Sequence, residues 1–121
     1  MKVTVNEQAQ RFYLAFEKWE SAVGHEIKVG KYRFCAIPLS KNINISEVTS
    51  GMKIFDIPLD LGTMVVTATK EGSLEFFGHV GNRIKKIIER TINFDEQLEK
   101  KKEISILRLG EMPAIENVDV L

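Results

Sequence analysis

MVVTATKEGSLEFFGHVGNRIKKIIERT, residues 64–91, is where a β-rich run gives way to an amphipathic, basic helix, with Gly78 and Gly81 at the junction. Leu74, Phe77, Val80, Ile84, Ile87 and Ile88 recur at helical steps, and this spacing predicts a helix from a Ser73 cap to Thr91. A second reading turns a hairpin at 70–73 and returns as a strand over 74–77, because each glycine costs about 1 kcal/mol inside a helix relative to alanine. Residues 82–90 are helical on both readings. The β-branched run at 64–69 is predicted as a strand.

Downstream, Asn93 and Glu96 have the spacing of a capping box, with asparagine in place of Ser/Thr. A short helix over 94–102 follows, supported by Glu96 and Lys100 one turn apart. Residues 104–109 are predicted as a last strand, closed by Gly110. The segment 111–121 has no lysine or arginine and ends in the apolar Val118, Val120 and Leu121. It is expected to be either loose or docked along a sheet edge.

Upstream, residues 6–23 are predicted as a helix. Asn6 serves as its N-cap, Ala9, Phe12, Tyr13, Phe16, Trp19 and Val23 form one apolar stripe, and Gly24 ends it. Residues 25–39 are predicted as strand with a hairpin at Gly30-Lys31, where glycine suits a type II′ turn. Tyr32, Phe34 and Ala36 alternate with Arg33 and Cys35 until Pro38. A second hairpin spans 40–62, turning at Thr49-Ser50-Gly51. The expected fold class is α+β: an N-terminal helix and a basic amphipathic helix packed on one face of a mainly antiparallel sheet.

The chain has 121 residues, the size of one domain, and 44% of them are hydrophobic. Residues 1–121 are therefore expected to form a single domain with its own core. Seventeen basic and seventeen acidic side chains cancel, so no global field draws the protein to nucleic acid or an anionic membrane. Cys35 is the only cysteine, which excludes an internal disulfide and fits a reducing compartment. The first residues hold no apolar signal segment and no run reaches the roughly 18 residues of a spanning helix. The expected location is the cytoplasm, with no membrane partner.

Catalytic signatures are missing: no Walker loop, no strand–GxGxxG–helix and no nucleophile elbow. The two histidines, His25 and His79, stand in no metal-spaced cluster, so neither metal nor cofactor is expected. Cys35 reads as a buried hydrophobe rather than a nucleophile. Asp56 and Asp60 flank Pro58 and read as a solvated pair, although with His79 they are the residues a scattered catalytic site would use.

Gly78-His79-Val80-Gly81, followed by Arg83, Ile84, Lys85, Lys86, Ile87, Ile88, Glu89 and Arg90, resembles the centre of a KH domain. In that family a GxxG loop joins two helices and the second helix is apolar on one face. Across residues 64–109 the resemblance implies single-stranded RNA or DNA binding. Gly78, His79 and Gly81 would admit the backbone to the helix N-terminus, and Arg83, Lys85, Lys86 and Arg90 would face its phosphates. Four cations against Glu89 alone give that helix a local net charge of +3. The competing reading places small residues where a helix packs on a sheet, with the cations on a solvated face. The leading functional expectation is a small non-enzymatic protein that binds and modulates another protein, as regulator, inhibitor or assembly subunit. Compact motif-free domains of this sort are common in phages and mobile elements. A partner would meet an exposed apolar patch involving Trp19 or the tail residues Val118, Val120 and Leu121. Neutral charge and free strand edges also favour self-association into a homo-oligomer.

Overall fold

The computed structural model describes residues 1–119. Its elements are β1 (Val3–Val5), β2 (Gln10–Ala15), β3 (Trp19–Val29), β4 (Tyr32–Pro38), β5 (Asn42–Glu47), β6 (Lys53–Pro58), α1 (Leu61–Val66), α2 (Lys70–Arg90), α3 (Phe94–Leu109) and β7 (Glu116–Asn117). All strand pairs are antiparallel, in the order β6-β5-β4-β3-β2-β7 with β1 on β3. The fold is α+β.

The helix predicted over 6–23 is not formed; those residues make β2 and the first part of β3. In β2, Phe12 and Leu14 are buried while Arg11 and Tyr13 between them are not, which is the two-residue period of a strand. Of the residues at helical spacing, Phe16 and Val23 face solvent at 49% and 39% exposure. Three- and four-residue steps among aromatics match a helix on paper, but these residues also favour strands. β2 and the first part of β3 pair with each other along their whole length, and that pairing prevails over local periodicity.

The β3–β4 hairpin turns at Gly30-Lys31 with Gly30 at φ +60 and Val29 opposite Tyr32. β3 is long enough to serve three neighbours, with β1 on residues 27–29. Its first half pairs with β2 and its second half with β4, changing over at Gly24-His25. A Cβ on Gly24 would lie 2.1 Å from the Ala36 carbonyl oxygen, so only glycine lets β3 pass this close to β4. The sheet folds over at this point. The far end of β2 then reaches the β5–β6 turn, where the Ala15 amide donates to the Gly51 carbonyl at 2.8 Å.

Two apolar cores result. Phe34, Ala36, Ile43 and Ile45 on one face meet Phe77, Val80, Ile84 and Ile88 of α2. On the other face Cys35 and Ile37 meet Phe12, Leu14 and Val48. β4 thus contributes to both, which explains its unbroken buried run from Phe34 to Ile37.

Residues 73–81 are helical, and α2 begins earlier than predicted: Thr69, not Ser73, caps it, accepting from the Gly72 amide at 3.0 Å. Two predicted strands are helical instead. Residues 64–69 supply the end of α1 and the link to α2; the Asp60 side chain caps α1 through the Thr63 amide at 2.8 Å. Residues 104–109 belong to α3, which continues past the predicted end at 102 as far as Gly110. Asn93 stands at the N-cap of α3 in the left-handed region, φ 56, and its side chain makes no capping bond.

α3 crosses one end of the molecule on side-chain anchors. Phe94 packs edge-on against Tyr32 at 4.9 Å between centroids. Ser105 Oγ donates to the Ser50 carbonyl at 2.7 Å and Arg108 to the Phe16 carbonyl at 2.6 Å. The tail 111–121 is docked rather than loose over its middle: Glu116 and Asn117 pair with Arg11 and Gln10 of β2.

Candidate functional site

Gly78 and Gly81 lie inside α2, in one uninterrupted helix, so no loop joins two helices at this GxxG. The two glycines differ sharply. A Cβ on Gly81 would sit 2.3 Å from Val3 Cγ1 and 3.0 Å from Ile27 Cγ2, whereas one on Gly78 would meet nothing within 4 Å. Gly81 is therefore the contact that lets α2 lie against β1 and β3.

The cations of α2 divide by face. Arg83, Lys86 and Arg90 are solvent-exposed and Lys85 is half-buried. Arg83 stacks on the Phe55 ring, 4.1 Å from its centroid. His79 is exposed and stands 4.0 Å from Glu75. The exposed Glu75 and Glu89 interrupt the basic surface.

Trp19 is half-buried rather than free. Its indole N–H donates to the Gly110 carbonyl at 3.2 Å, and its ring covers Gly51 so closely that a Cβ there would meet Trp19 Cζ3 at 2.7 Å. It joins β3 to the β5–β6 turn and the end of α3. Val118 is half-buried against β2, donating its amide to the Ala9 carbonyl at 2.9 Å. Val120 and Leu121 lie outside the described residues.

The scattered acid–base residues have separate duties. Asp56 pairs with Lys53 at 2.8 Å. Asp60 caps α1, and the Thr63 amide holds its carboxyl below the usual range. Cys35 is buried, and desolvation pushes its thiol up to about 12, which suppresses the nucleophilic thiolate. The buried carboxylate Glu47 stitches its own turn, accepting from the amides of Thr49 at 2.9 Å and Ser50 at 2.7 Å. Among the described residues no three His, Cys, Asp or Glu side chains gather as a metal site, and no helix is long and apolar enough to cross a membrane.

Three concavities flank α2, one of them an open hollow of about 410 Å³ over Gly78, His79 and Asn82 beside Met1 and Val3. A cleft of about 530 Å³ lies beside the first turns of α2, between His25, Pro38, Lys70 and Phe77. The His25 ring there is held by Nδ1 at 2.9 Å from the Asn6 carbonyl oxygen. An apolar groove of about 180 Å³ runs between α2 and α3 over Ile54, Ile87, Phe94 and Leu98.

The largest departure from expectation is α1. Leu61, Met64, Val65 and Val66 are 78%, 56%, 66% and 48% exposed, and no residue of this helix is buried. The last turns of α3 expose Ile104, Ile106 and Leu107 as well, while burying Ser105. These apolar surfaces were hidden in the sequence because both segments read as strands, whose apolar side chains a sheet would cover. The signal that could have found α1 is Asp60 three residues before Thr63, a capping spacing ahead of the charge-free run LGTMVV.

No family model matches the chain, and no curated protein and no solved structure matches it.

Proposed function

We propose that this chain is a non-enzymatic, cytoplasmic interaction module that binds another protein through α1. One observation carries the reading: four large apolar side chains on a helix of six residues face solvent. Burying each such side chain is worth about 1.5–3 kcal/mol. A contiguous exposed patch of that kind on a soluble domain marks a contact surface. α1 is held at its start by the Asp60 cap and runs through Thr67 and Ser73 into α2, with Ser73 Oγ donating to the Thr67 carbonyl at 3.0 Å. The patch is thus presented on a fixed element.

The test is a tagged pull-down from host lysate with nuclease present, comparing the native chain with Met64→Glu/Val65→Glu. Both substitutions fall on exposed positions, so the melting temperature should stay within a few degrees. A protein retained by the native chain and lost by the variant supports the reading. A partner bound equally by both removes α1 as the contact.

A second reading, binding of single-stranded nucleic acid, is favoured by the solvent-facing Arg83, Lys86 and Arg90 on α2. It predicts an affinity for an oligonucleotide that falls steeply with salt and drops when these three become glutamine.

A further inference from the structure

The outer edge of β2 is closed by the chain itself. Among the described residues, β7 pairs there with Gln10 and Arg11, through Asn117 and Glu116. The surrounding contacts set a register. Arg11 forms an ion pair with Glu116. Gln10 Nε2 donates to Asn117 Oδ1 at 3.2 Å, and Gln8 Nε2 donates to the Val118 carbonyl at 2.9 Å. Ile115 packs against the core of Phe12, Leu14, Cys35 and Ile37. The cover is slight: two ladder residues, both exposed, follow a stretch with no regular structure between Gly110 and β7. Segments held by so few bonds open locally without global unfolding. The edge beneath is an unpaired row of strand donors and acceptors whenever the cover lifts.

We infer that the outer edge of β2 is a strand-acceptor site, occupied in cis by residues 115–118. In trans it takes an extended segment of another protein with the pattern aliphatic–acidic–polar–aliphatic. The chemistry of that partner follows from the acceptor. The socket now filled by Ile115 selects the first aliphatic residue. Arg11 selects the carboxylate. Gln10 accommodates a polar side chain, and the Ala9 carbonyl fixes the last residue through its amide. Main-chain pairing supplies affinity and these side-chain positions supply specificity. The site is separate from α1 and uses none of its observations, so either proposal can fail without the other.

The test uses full-length chains and a dye-labelled peptide spanning residues 113–119, followed by fluorescence anisotropy. In Glu116→Arg the cis segment meets Arg11 with like charge, and the acceptor is intact. Peptide affinity should rise at least about tenfold over the native chain, because apparent affinity scales with the open fraction. Arg11→Glu should bind more weakly than Glu116→Arg, and a peptide carrying arginine in place of its glutamate should restore its binding. Equal affinity for all three chains overturns the proposal. Independently, the Val118 amide of the native chain should exchange with solvent far faster than the amide of Ile45 in the core. Equal protection of the two overturns the proposal without reference to any variant.

Discussion

Gly78 and Gly81 are equivalent in the sequence and opposite in the structure. Gly81→Ala would drive a methyl group into Val3 and Ile27. It should destabilise the protein by about 1–3 kcal/mol, as overpacking does. Gly78→Ala meets open space and should stabilise by up to about 1 kcal/mol through helix propensity. Urea midpoints of the two variants check both signs. The same contrast decides which glycine can test nucleic-acid binding. Gly81→Asp would fail through packing alone, whereas Gly78→Asp keeps the fold and should lower oligonucleotide affinity if a phosphate backbone approaches there. The spacing of the glycines was legible in the sequence. Which one packs was not, because Val3 comes to Gly81 from the far end of the chain through β1.

Among the elements, the strands of the middle were the legible ones. β4 and β5 carry their alternation and their turn residues openly, and the Gly30-Lys31 turn falls where the sequence predicts it. The misread elements are those whose neighbours decide them: the aromatics of β2 and β3 at helical spacing, and the β-branched residues of α1 and the end of α3 at strand spacing. α1, the main candidate contact surface, was hidden for that reason. α3 makes the dependence on neighbours measurable. Asp95 in its first turn accepts from the Tyr32 hydroxyl and lies 3.3 Å from Lys31, and these partners hold its carboxyl below the usual range. A carboxyl with a depressed folded value contributes stability above its ordinary, unfolded value. That contribution is lost as pH falls through the folded value. Asp95→Asn should therefore lower the urea midpoint at neutral pH, and the gap from the native chain should close well below pH ~4, the ordinary carboxylate value. A gap independent of pH would mean that the hydrogen bond to Tyr32, not the charge, anchors α3.

At the scale of the whole molecule, the core of Phe12, Leu14, Cys35, Ile37 and Val48 depends on the sheet folding over at Gly24. That bend turns a single antiparallel sheet into a structure with an apolar core on each face of β4, and it brings the β2–β3 turn to the Gly51 end where Trp19 and α3 join it. It also lays β2 where its outer edge meets the tail. Cys35 reports on the bend directly, since it is buried in the core that the bend creates, with its thiol pushed up to about 12. Reaction with an aromatic disulfide reagent requires a thiolate and access to it, so the native chain should be labelled only as fast as that core opens. Gly24→Ala places a methyl group against the Ala36 carbonyl and Ile37, and backbone cannot rotate away as a side chain can. The first half of β3, with β2, must then lift from β4. Labelling of Cys35 should accelerate at least about tenfold, the equivalent of roughly 1.4 kcal/mol in the opening equilibrium. The α2-side core does not depend on the bend, so the helical circular dichroism signal should persist under the same conditions. Fast labelling with retained helix would place the two cores under separate control; simultaneous loss of both would show that they open as one unit around β4.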